Sequence, residues 1–238
     1  MRIVLRSVAI LGLSLLPALA FAEAAHNNVS GTGGAGISVS TSVSGGGSVT
    51  QSISISNNVV TNNTGAGVSI DNSATGTGSN INQSVTSQGN TITNNGGAGV
   101  SISNSADNGG TSTTSVNSTN DTITGNGGGG VSISNAADTG GTASTTATFK
   151  NDTITGNTGN GITATNTNNG AAATTATTKI DLSPGGNTLT GNTGDVVSVT
   201  NNATAVANSV TVTGVQATNT PSPVPVTQSG AGAIVIVP

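Results

Sequence analysis

Few side chains of this 238-residue chain could take part in catalysis, and most of them are carboxylates. The sequence contains eight Asp and Glu, four Lys and Arg, one His and no Cys. The lack of Cys excludes disulfides, thiolate nucleophiles and Cys-based metal or iron–sulfur sites. Four basic residues in an acidic chain exclude a strongly basic nucleic-acid-binding surface. Any chemistry must therefore come from scattered carboxylates and hydroxyls, the few basic residues and the one His.

Asp121 and Asp152 are the carboxylates whose spacing suggests a site. They occupy equivalent positions of two repeated segments in which other copies have Asn. If the repeats stack as adjacent strands, the two carboxylates lie within about 5 Å of each other. We interpret them as turn residues, with weak Ca²⁺ binding as the alternative. Among the other titratable groups, we interpret His26 as part of a mobile terminus, and Lys150 and Lys179 as like charges stacked at a strand edge.

Thr-x-Thr triplets provide a second kind of candidate site. Four copies of the repeat place an aliphatic residue between two threonines, namely Thr91 and Thr93, Thr122 and Thr124, Thr153 and Thr155, and Thr188 and Thr190. Outward hydroxyls about 7 Å apart along a strand and about 4.8 Å apart between coils form a flat array. This array resembles the ice-binding face of several β-solenoid antifreeze proteins. The alternative is that Thr is simply a good exposed strand residue, and the first two copies of the repeat interrupt the array.

A segment repeated six times predicts the elements that position these residues. Its central apolar residues are separated by 31, 32, 31, 31 and 35 residues, and a second apolar residue follows each of them after eight positions. The central residues are Val29, Val60, Ile92, Ile123, Ile154 and Leu189. Apolar and polar residues alternate within each copy, as expected for half-buried strands. We therefore predict an all-β fold, a single-domain parallel β-solenoid of about six coils with three short strands per coil of about 31 residues.

Asn and Gly recur at fixed places in the repeat. Three rows of Asn have side chains that tolerate turn conformations and can hydrogen-bond between coils as ladders. A Gly directly before the second apolar residue suits a bend that a Cβ atom would obstruct. The sixth copy departs from this rule with Val196.

These coils resemble the right-handed parallel β-helix repeat family, the pectate-lyase-like solenoids. The segment NDTITGNGGGGVSISN, residues 120–135, is similar to the family pattern N-x-I-T-x-N-x-G-x-G-I-x-I, and the resemblance extends over residues 27–214. It implies a solenoid scaffold and raises cleavage of acidic polysaccharides as an activity. That chemistry needs clustered carboxylates and a cationic side chain near the substrate carboxylate. Both Arg residues, Arg2 and Arg6, lie in residues 1–22, which are predicted below to be removed as a signal peptide, so the mature chain would contain no Arg. We therefore expect no enzymatic activity, and we expect no metal and no cofactor.

Both ends of the chain differ from the repeats. Residues 1–22 combine two early Arg residues, an apolar run and small residues before Glu23, which predicts a secretory signal peptide. Residues 23–214 are predicted to form the solenoid, and residues 215–229 a Thr/Pro/Ser linker. Residues 230–238 are predicted to form an apolar strand. Its candidate assembly residues, Ile234, Val235, Ile236 and Val237, would cap their own solenoid or dock on a neighbouring subunit.

These features predict a secreted, non-catalytic structural or adhesive solenoid at the cell surface or in extracellular fibres, with the periplasm as another location. The predicted partners are further copies of the chain, as a homo-oligomer or filament, and a carbohydrate or cell-surface ligand. Nucleic acid and a transmembrane segment are not expected. One alternative function is ice binding through the Thr-x-Thr face. A second is polysaccharide binding or weak pectate-lyase-like activity.

Overall fold

Three parallel sheets form the fold in the computed structural model, which describes residues 3–6, 18–168, 174–202, 208–216, 218–230 and 232–238. All regular structure in these residues is β-strand, wound into a solenoid of about six turns. The predicted fold class is confirmed. Most of the apolar run of the predicted signal peptide, and Met1 and Arg2, lie outside the described residues.

Two of the sheets contain eight strands each. Sheet A consists of β1 (Ile3–Arg6), β4 (Ile37–Ser44), β7 (Val68–Thr75), β10 (Ala98–Asp107), β13 (Gly129–Ala137), β16 (Ile162–Asn168), β18 (Val197–Asn201) and β20 (Val226–Ser229). Sheet B consists of β2 (Ala18–Ala25), β5 (Ser48–Ser56), β8 (Asn80–Gln88), β11 (Thr111–Thr119), β14 (Thr142–Lys150), β17 (Thr175–Asp181), β19 (Ser209–Thr213) and β21 (Ala233–Val237).

Sheet C is narrow and contains the Thr-x-Thr triplets. Its strands are β3 (Asn28–Ser30), β6 (Val59–Thr61), β9 (Thr91–Thr93), β12 (Thr122–Thr124) and β15 (Thr153–Thr155). Isolated parallel bridges from Thr153 to Thr188 and from Thr188 to Thr220 continue it beyond β15. Each coil thus contributes one strand or bridge to each wall of the solenoid.

Equivalent residues of successive coils pair directly, so that inward side chains form continuous columns. In sheet A, Val100 pairs with Val131 and Ile102 with Ile133. In sheet C, Ile123 stacks between Ile92 and Ile154, and all three are at most 1% exposed. Full burial of one such side chain contributes roughly 1.5–3 kcal/mol. The alternation of apolar and polar residues therefore reflects half-buried strands. Their inward side chains stack on the equivalent side chains of the neighbouring coils.

The repeated Asn residues lie inside the solenoid as ladders and not in left-handed turns. Asn95 donates its Nδ2 to Asn126 Oδ1 at 3.0 Å, and Asn126 donates in the same way to Asn157 at 2.9 Å. The positive φ angles belong to other residues at the corners, such as Asn94 (54°) and Asn120 (56°). The expected ladders are present, because a backbone buried in stacked coils needs the amide groups as hydrogen-bond partners.

A third ladder joins sheets A and B across the interior. Asn104 Nδ2 donates to Thr145 Oγ1 at 2.6 Å, and Thr145 Oγ1 donates to Asn135 Oδ1 at 2.8 Å. Asn135 in turn donates to Thr178 Oγ1 at 2.7 Å. These side chains are buried. Small polar residues can line this part of the interior because each finds its partner there.

Glycine at the predicted bend is required by a close approach between coils. A Cβ atom placed on Gly130 would collide with the side chain of Ile154 and with the carbonyl of Gly161 in the next coil. Gly99 has the same relation to Ile123 and Gly130. The corner therefore tolerates no side chain where the coils are closest.

The segments outside the repeats also take places in the sheets. β1 and β2, which belong wholly or mostly to the predicted signal peptide, pair with β4 and β5. Within the predicted linker, Val224 is buried and β20 pairs with β18. β21 pairs in parallel with β19 of its own chain, placing Ile234 on Val210 and Ile236 on Val212.

Candidate functional site

The predicted Thr-x-Thr face lies in sheet C, and most of its threonines are in register. Thr122 pairs with Thr91 and Thr153, and Thr124 pairs with Thr93 and Thr155. Their side chains are half-buried except that of Thr91, which is exposed. Thr188 joins this column through its bridge, whereas Thr190 is exposed and follows the bridge without belonging to a strand. The structure therefore places seven of the eight candidate threonines in the strands or bridges of one narrow face. The Thr190 carbonyl accepts from the Gly156 N–H, as the Thr155 carbonyl accepts from the Gly125 N–H.

The earlier coils interrupt this face as the sequence indicated. Val59 in β6 is 42% exposed at the position that Thr91 occupies in β9. Thr93 donates its hydroxyl to Thr61 at 3.3 Å, so part of the hydroxyl array is satisfied within the face. A face two hydroxyls wide, with internal hydrogen bonds, offers a small area for an external ligand.

The outer surface of sheet B is a hydroxyl-rich face much wider than that of sheet C. The Thr-x-Thr motif did not predict it. We call its outward residues in β5, β8, β11, β14 and β17 the broad hydroxyl face. One column contains Thr50, Asn82, Thr113, Ser144 and Thr177, and the next begins with Ser52, Ser84, Ser115 and Thr146. Strands of nine residues present up to five outward positions about 7 Å apart, against two in sheet C. The alternation of apolar and polar residues in these segments, combined with the repeat period of about 31 residues, could have predicted this face from the sequence.

The outer surface of sheet A has similar chemistry. From β4 to β20, its first outward column contains only hydroxyl residues, namely Ser38, Ser69, Ser101, Ser132, Thr163, Ser198 and Thr227. Asp71 interrupts the adjacent column and accepts a hydrogen bond from Ser69. The outer surfaces of sheets A and B are therefore regular rows of mostly hydroxyl side chains with few charges.

Basic side chains do not form a stacked pair on this surface. The expected stacking of Lys150 and Lys179 is wrong, because the register places Lys179 beside Thr146 and Lys150 beside Thr119. Lys179 instead lies 3.6 Å from Asp181 of its own strand. Burial opposes ionisation of Asp181, but hydrogen bonds from Ser183 and Thr213, together with Lys179, hold its pKa below the ordinary value. The broad hydroxyl face thus carries an ion pair near its C-terminal end.

Asp121 and Asp152 are buried within an Asn ladder. Asn90 donates its backbone N–H and Nδ2 to Asp121 Oδ1, at 2.7 and 3.0 Å, and Ser118 donates to Asp121 Oδ2 at 2.9 Å. The Asp121 N–H donates to Asp152 Oδ1 at 2.7 Å. The two carboxyls are 2% and 0% exposed. Their oxygens serve the ladder and face no solvent.

Burial makes Asp152 difficult to ionise. Removal from water raises its pKa to about 7, and the negative charge of Asp121 adds to the effect, although several hydrogen bonds oppose it. Within the described ranges, no group of three His, Asp or Glu side chains is placed to hold a metal ion. His26 is exposed at a corner with φ of 55°, and its N–H donates to the Ser56 carbonyl. Asp121 and Asp152 are thus part of the hydrogen-bonded interior of the solenoid.

The candidate assembly strand forms one end of sheet B. Ile234 and Ile236 are half-buried against the core, whereas Val235 and Val237 are 47% and 41% exposed. The strand alternates between inward Ile and outward Val, and it carries no charge. It is therefore both the last stacked layer and an apolar edge.

Comparison with protein-family models, curated proteins and solved structures finds no match. The class of the molecule rests on its own geometry, which is that of a parallel β-solenoid. Among the described residues, no helix has the length and apolar character needed to cross a membrane.

Proposed function

We propose that the chain is an exported, non-catalytic structural or adhesive β-solenoid that acts at the cell surface or in extracellular fibres. The observation that carries this proposal is the chemistry of the outer faces of sheets A and B. Both faces repeat hydroxyl and amide side chains in a regular lattice, while the carboxyl pair is turned inward. Such surfaces suit many weak hydrogen bonds to an extended partner, including the carbohydrate of a cell surface, better than recognition of a small substrate.

Export and processing are the first test of this function. In fractionated producing cells, the chain should occur outside the cytoplasm, and mass spectrometry should find Glu23 at its N-terminus. A chain kept inside the cell with residues 1–22 attached would reject the proposal.

Adhesion by the broad hydroxyl face is the second test. Replacing Thr113 and Thr146 by Glu adds two charges to that face and should lower retention of the purified protein on washed producing cells. The matched control places Glu at two exposed corner residues, Thr158 and Thr193, and should leave retention unchanged. Equal retention of the two double variants would show that this face is not the adhesive surface.

Ice binding is the second candidate function, and the in-register threonines of β9, β12 and β15 favour it. It predicts thermal hysteresis or inhibition of ice recrystallisation by the purified protein, and loss of the effect in Thr124→Tyr. Thr165→Tyr, on the outer face of sheet A, is the matched control. A wild-type protein without either effect would remove this candidate.

The pectate-lyase-like alternative predicts polysaccharide binding or weak turnover. We propose that turnover does not occur, because the two carboxyls that resemble a catalytic pair are enclosed in the ladder. Incubation with polygalacturonate, with and without Ca²⁺, should yield no unsaturated or reducing ends. Clear turnover would overturn this proposal.

A further inference from the structure

The two ends of the chain lie in the same columns of the solenoid. In sheet A, one column begins at Ile3 and ends at Val226, passing through Ile37, Val68, Val100, Val131, Ile162 and Val197. The four residues of β20 therefore lie in the four columns that start with the four residues of β1. In sheet A, the last strand therefore repeats the place and length of the first.

Sheet B shows the same correspondence. The column of Phe21 and Ser52 continues through Ser84, Ser115, Thr146, Lys179 and Thr211, and ends at Val235. Residues 233–236 of β21 thus lie in the columns that start with residues 19–22 of β2. These four N-terminal residues belong to the predicted signal peptide.

Removal of residues 1–22 would open the N-terminal end of both sheets. Ile3–Arg6 pairs with the first four residues of β4, and residues 18–22 pair with residues 49–53 of β5. Cleavage before Glu23 would remove all of these partner residues and uncover Ile37 and Ile53, which are at most 1% exposed. An open strand edge with uncovered core is a template for another strand.

The other end of the solenoid supplies strands that fit this edge. Ile236 lies in the column of Ile53, so in a stacked pair the aliphatic column formed by Ile180, Val212 and Ile236 would continue directly into Ile53. On sheet A the match is less apolar, because Gln228 shares the column of Val39, so sheet B provides most of the fit.

We propose that the processed chain binds a second copy of itself head to tail. In this contact, β20 of one copy takes the place vacated by β1 of the next, and residues 233–236 of β21 take the places vacated by residues 19–22 of β2. This inference rests on the proposed function, since it requires removal of residues 1–22. The two surfaces in contact are different, and each added copy continues the strand columns along the solenoid axis, so the association produces linear chains. Processing would then control assembly, because the uncleaved segment occupies the receiving edge.

Disulfide trapping tests the register of this contact. Ser52 and Val235 are six steps of about 4.8 Å apart within one chain, roughly 29 Å, but they become neighbours across the proposed contact. The distance between neighbouring strands lies within the Cα range of a disulfide. Because the natural chain has no Cys, the processed double variant Ser52→Cys, Val235→Cys should form a ladder of covalent oligomers under mild oxidation.

Two controls isolate the contact. The processed variant Ser115→Cys, Val235→Cys has its first Cys in the same column but in the middle of the sheet, and it should form no ladder. The full-length form of the Ser52→Cys, Val235→Cys variant should also form none, because Phe21 covers Ser52. A ladder of equal yield in either control would overturn the proposal.

A charge at the end of the column provides a test without crosslinking. Ile236→Lys would bury an unpaired ammonium group in the stacked pair, whereas in the single chain the charge can reach water at the end of the solenoid. In the processed chain it should lower oligomer formation, measured by sedimentation velocity, by more than about tenfold. Val235→Lys carries the same charge on the outer face and should assemble like the wild type.

Each remaining outcome is also decisive. Processed wild-type chains that stay monomeric, or oligomers equally abundant in Ile236→Lys, overturn the head-to-tail stack. Loss of the β-sheet circular dichroism spectrum in the processed chain also overturns it, since the contact needs intact β4 and β5. These measurements use purified protein, so exported but monomeric chains would reject the stack and leave the proposed function standing.

Discussion

Replacing Asp152 by Asn should make the stability of the solenoid less dependent on pH. Asp152 is fully buried, and its pKa is about 7 against an ordinary value of 3.8. Above the ordinary value the unfolded chain loses this proton, while the folded chain keeps it up to pH 7. The folded state therefore binds more protons in this window, and stability falls as pH rises through it.

The size of the effect follows from the two pKa values. At about 1.4 kcal/mol per pKa unit, the difference between 3.8 and about 7 corresponds to about 4 kcal/mol once Asp152 is fully ionised. Between pH 5 and pH 9 this residue alone should cost about 3 kcal/mol of stability. For a chain of this size, that lowers the thermal midpoint by about 6 to 12 °C.

The assay is thermal unfolding followed by circular dichroism at pH 5, 7 and 9. Asp152→Asn keeps an oxygen that can accept from the Asp121 N–H and adds the amide group that other members of the ladder use. It should therefore lose most of the decline between pH 5 and pH 9. The control Asp195→Asn removes a carboxylate from an exposed corner and should keep the decline of the wild type.

Two results would refute this reasoning. The first is a wild-type midpoint that does not fall between pH 5 and pH 9. The second is an Asp152→Asn variant whose decline equals that of the wild type, which would assign the pH dependence to other groups.

Three further substitutions test the packing of the coils, each by its urea or thermal midpoint. Gly130→Ala should destabilise the protein by more than about 2 kcal/mol, because the added Cβ atom collides with the next coil. Gly33→Ala, which has open space around it, should change the midpoint little. Equal effects of the two substitutions would contradict the close approach of the coils at Gly130. Asn126→Ala should lower the free energy of unfolding by about 2 to 4 kcal/mol, because the N–H and Nδ2 of Asn95 lose their acceptor in the interior. A loss below about 0.5 kcal/mol would show that water replaces this acceptor. Ser87→Val should stabilise the protein by about 1 kcal/mol by filling the cavity of ≈ 20 Å³ that Ser87 lines. A lower midpoint would mean that the hydrogen bond from Asn90 Nδ2 to the Ser87 hydroxyl contributes more than filling the cavity does.

The repeat period could be recognised from sequence because the solenoid makes each coil stack on its own copy. A column such as Ile92, Ile123 and Ile154 requires an apolar residue at one offset in every coil, so the fold repeats its constraint along the chain. The same stacking makes the corner Gly recur, since each coil approaches the next at the same point. The number of strands per coil, their parallel direction and their inward faces were therefore predictable, whereas β1, β2 and β20, outside the repeats, were not.

Register across the irregular part of the chain was not predictable. The spacing between β14 and β17 is 33 residues, as in the pair Thr146 and Lys179, whereas β11 and β14 are separated by 31. Sequence spacing alone suggested that Lys150 and Lys179 are neighbours. Where extra residues are accommodated depends on which backbone groups pair, and the polar residues around β17 give no alternation strong enough to locate them.

The sequence by itself determined the columns, because burial of one residue per coil leaves a periodic mark in the chain. Only the tertiary structure decided what the polar residues do. The sequence does not distinguish an Asn or Asp in an exposed turn from one in a buried ladder, and Asp121 and Asp152 lie in the interior. Ser and Thr residues are divided between the interior and the broad hydroxyl face. That division depends on partners about 31 to 43 residues away, since a buried hydroxyl or carboxyl is tolerated only where another coil supplies its hydrogen bond.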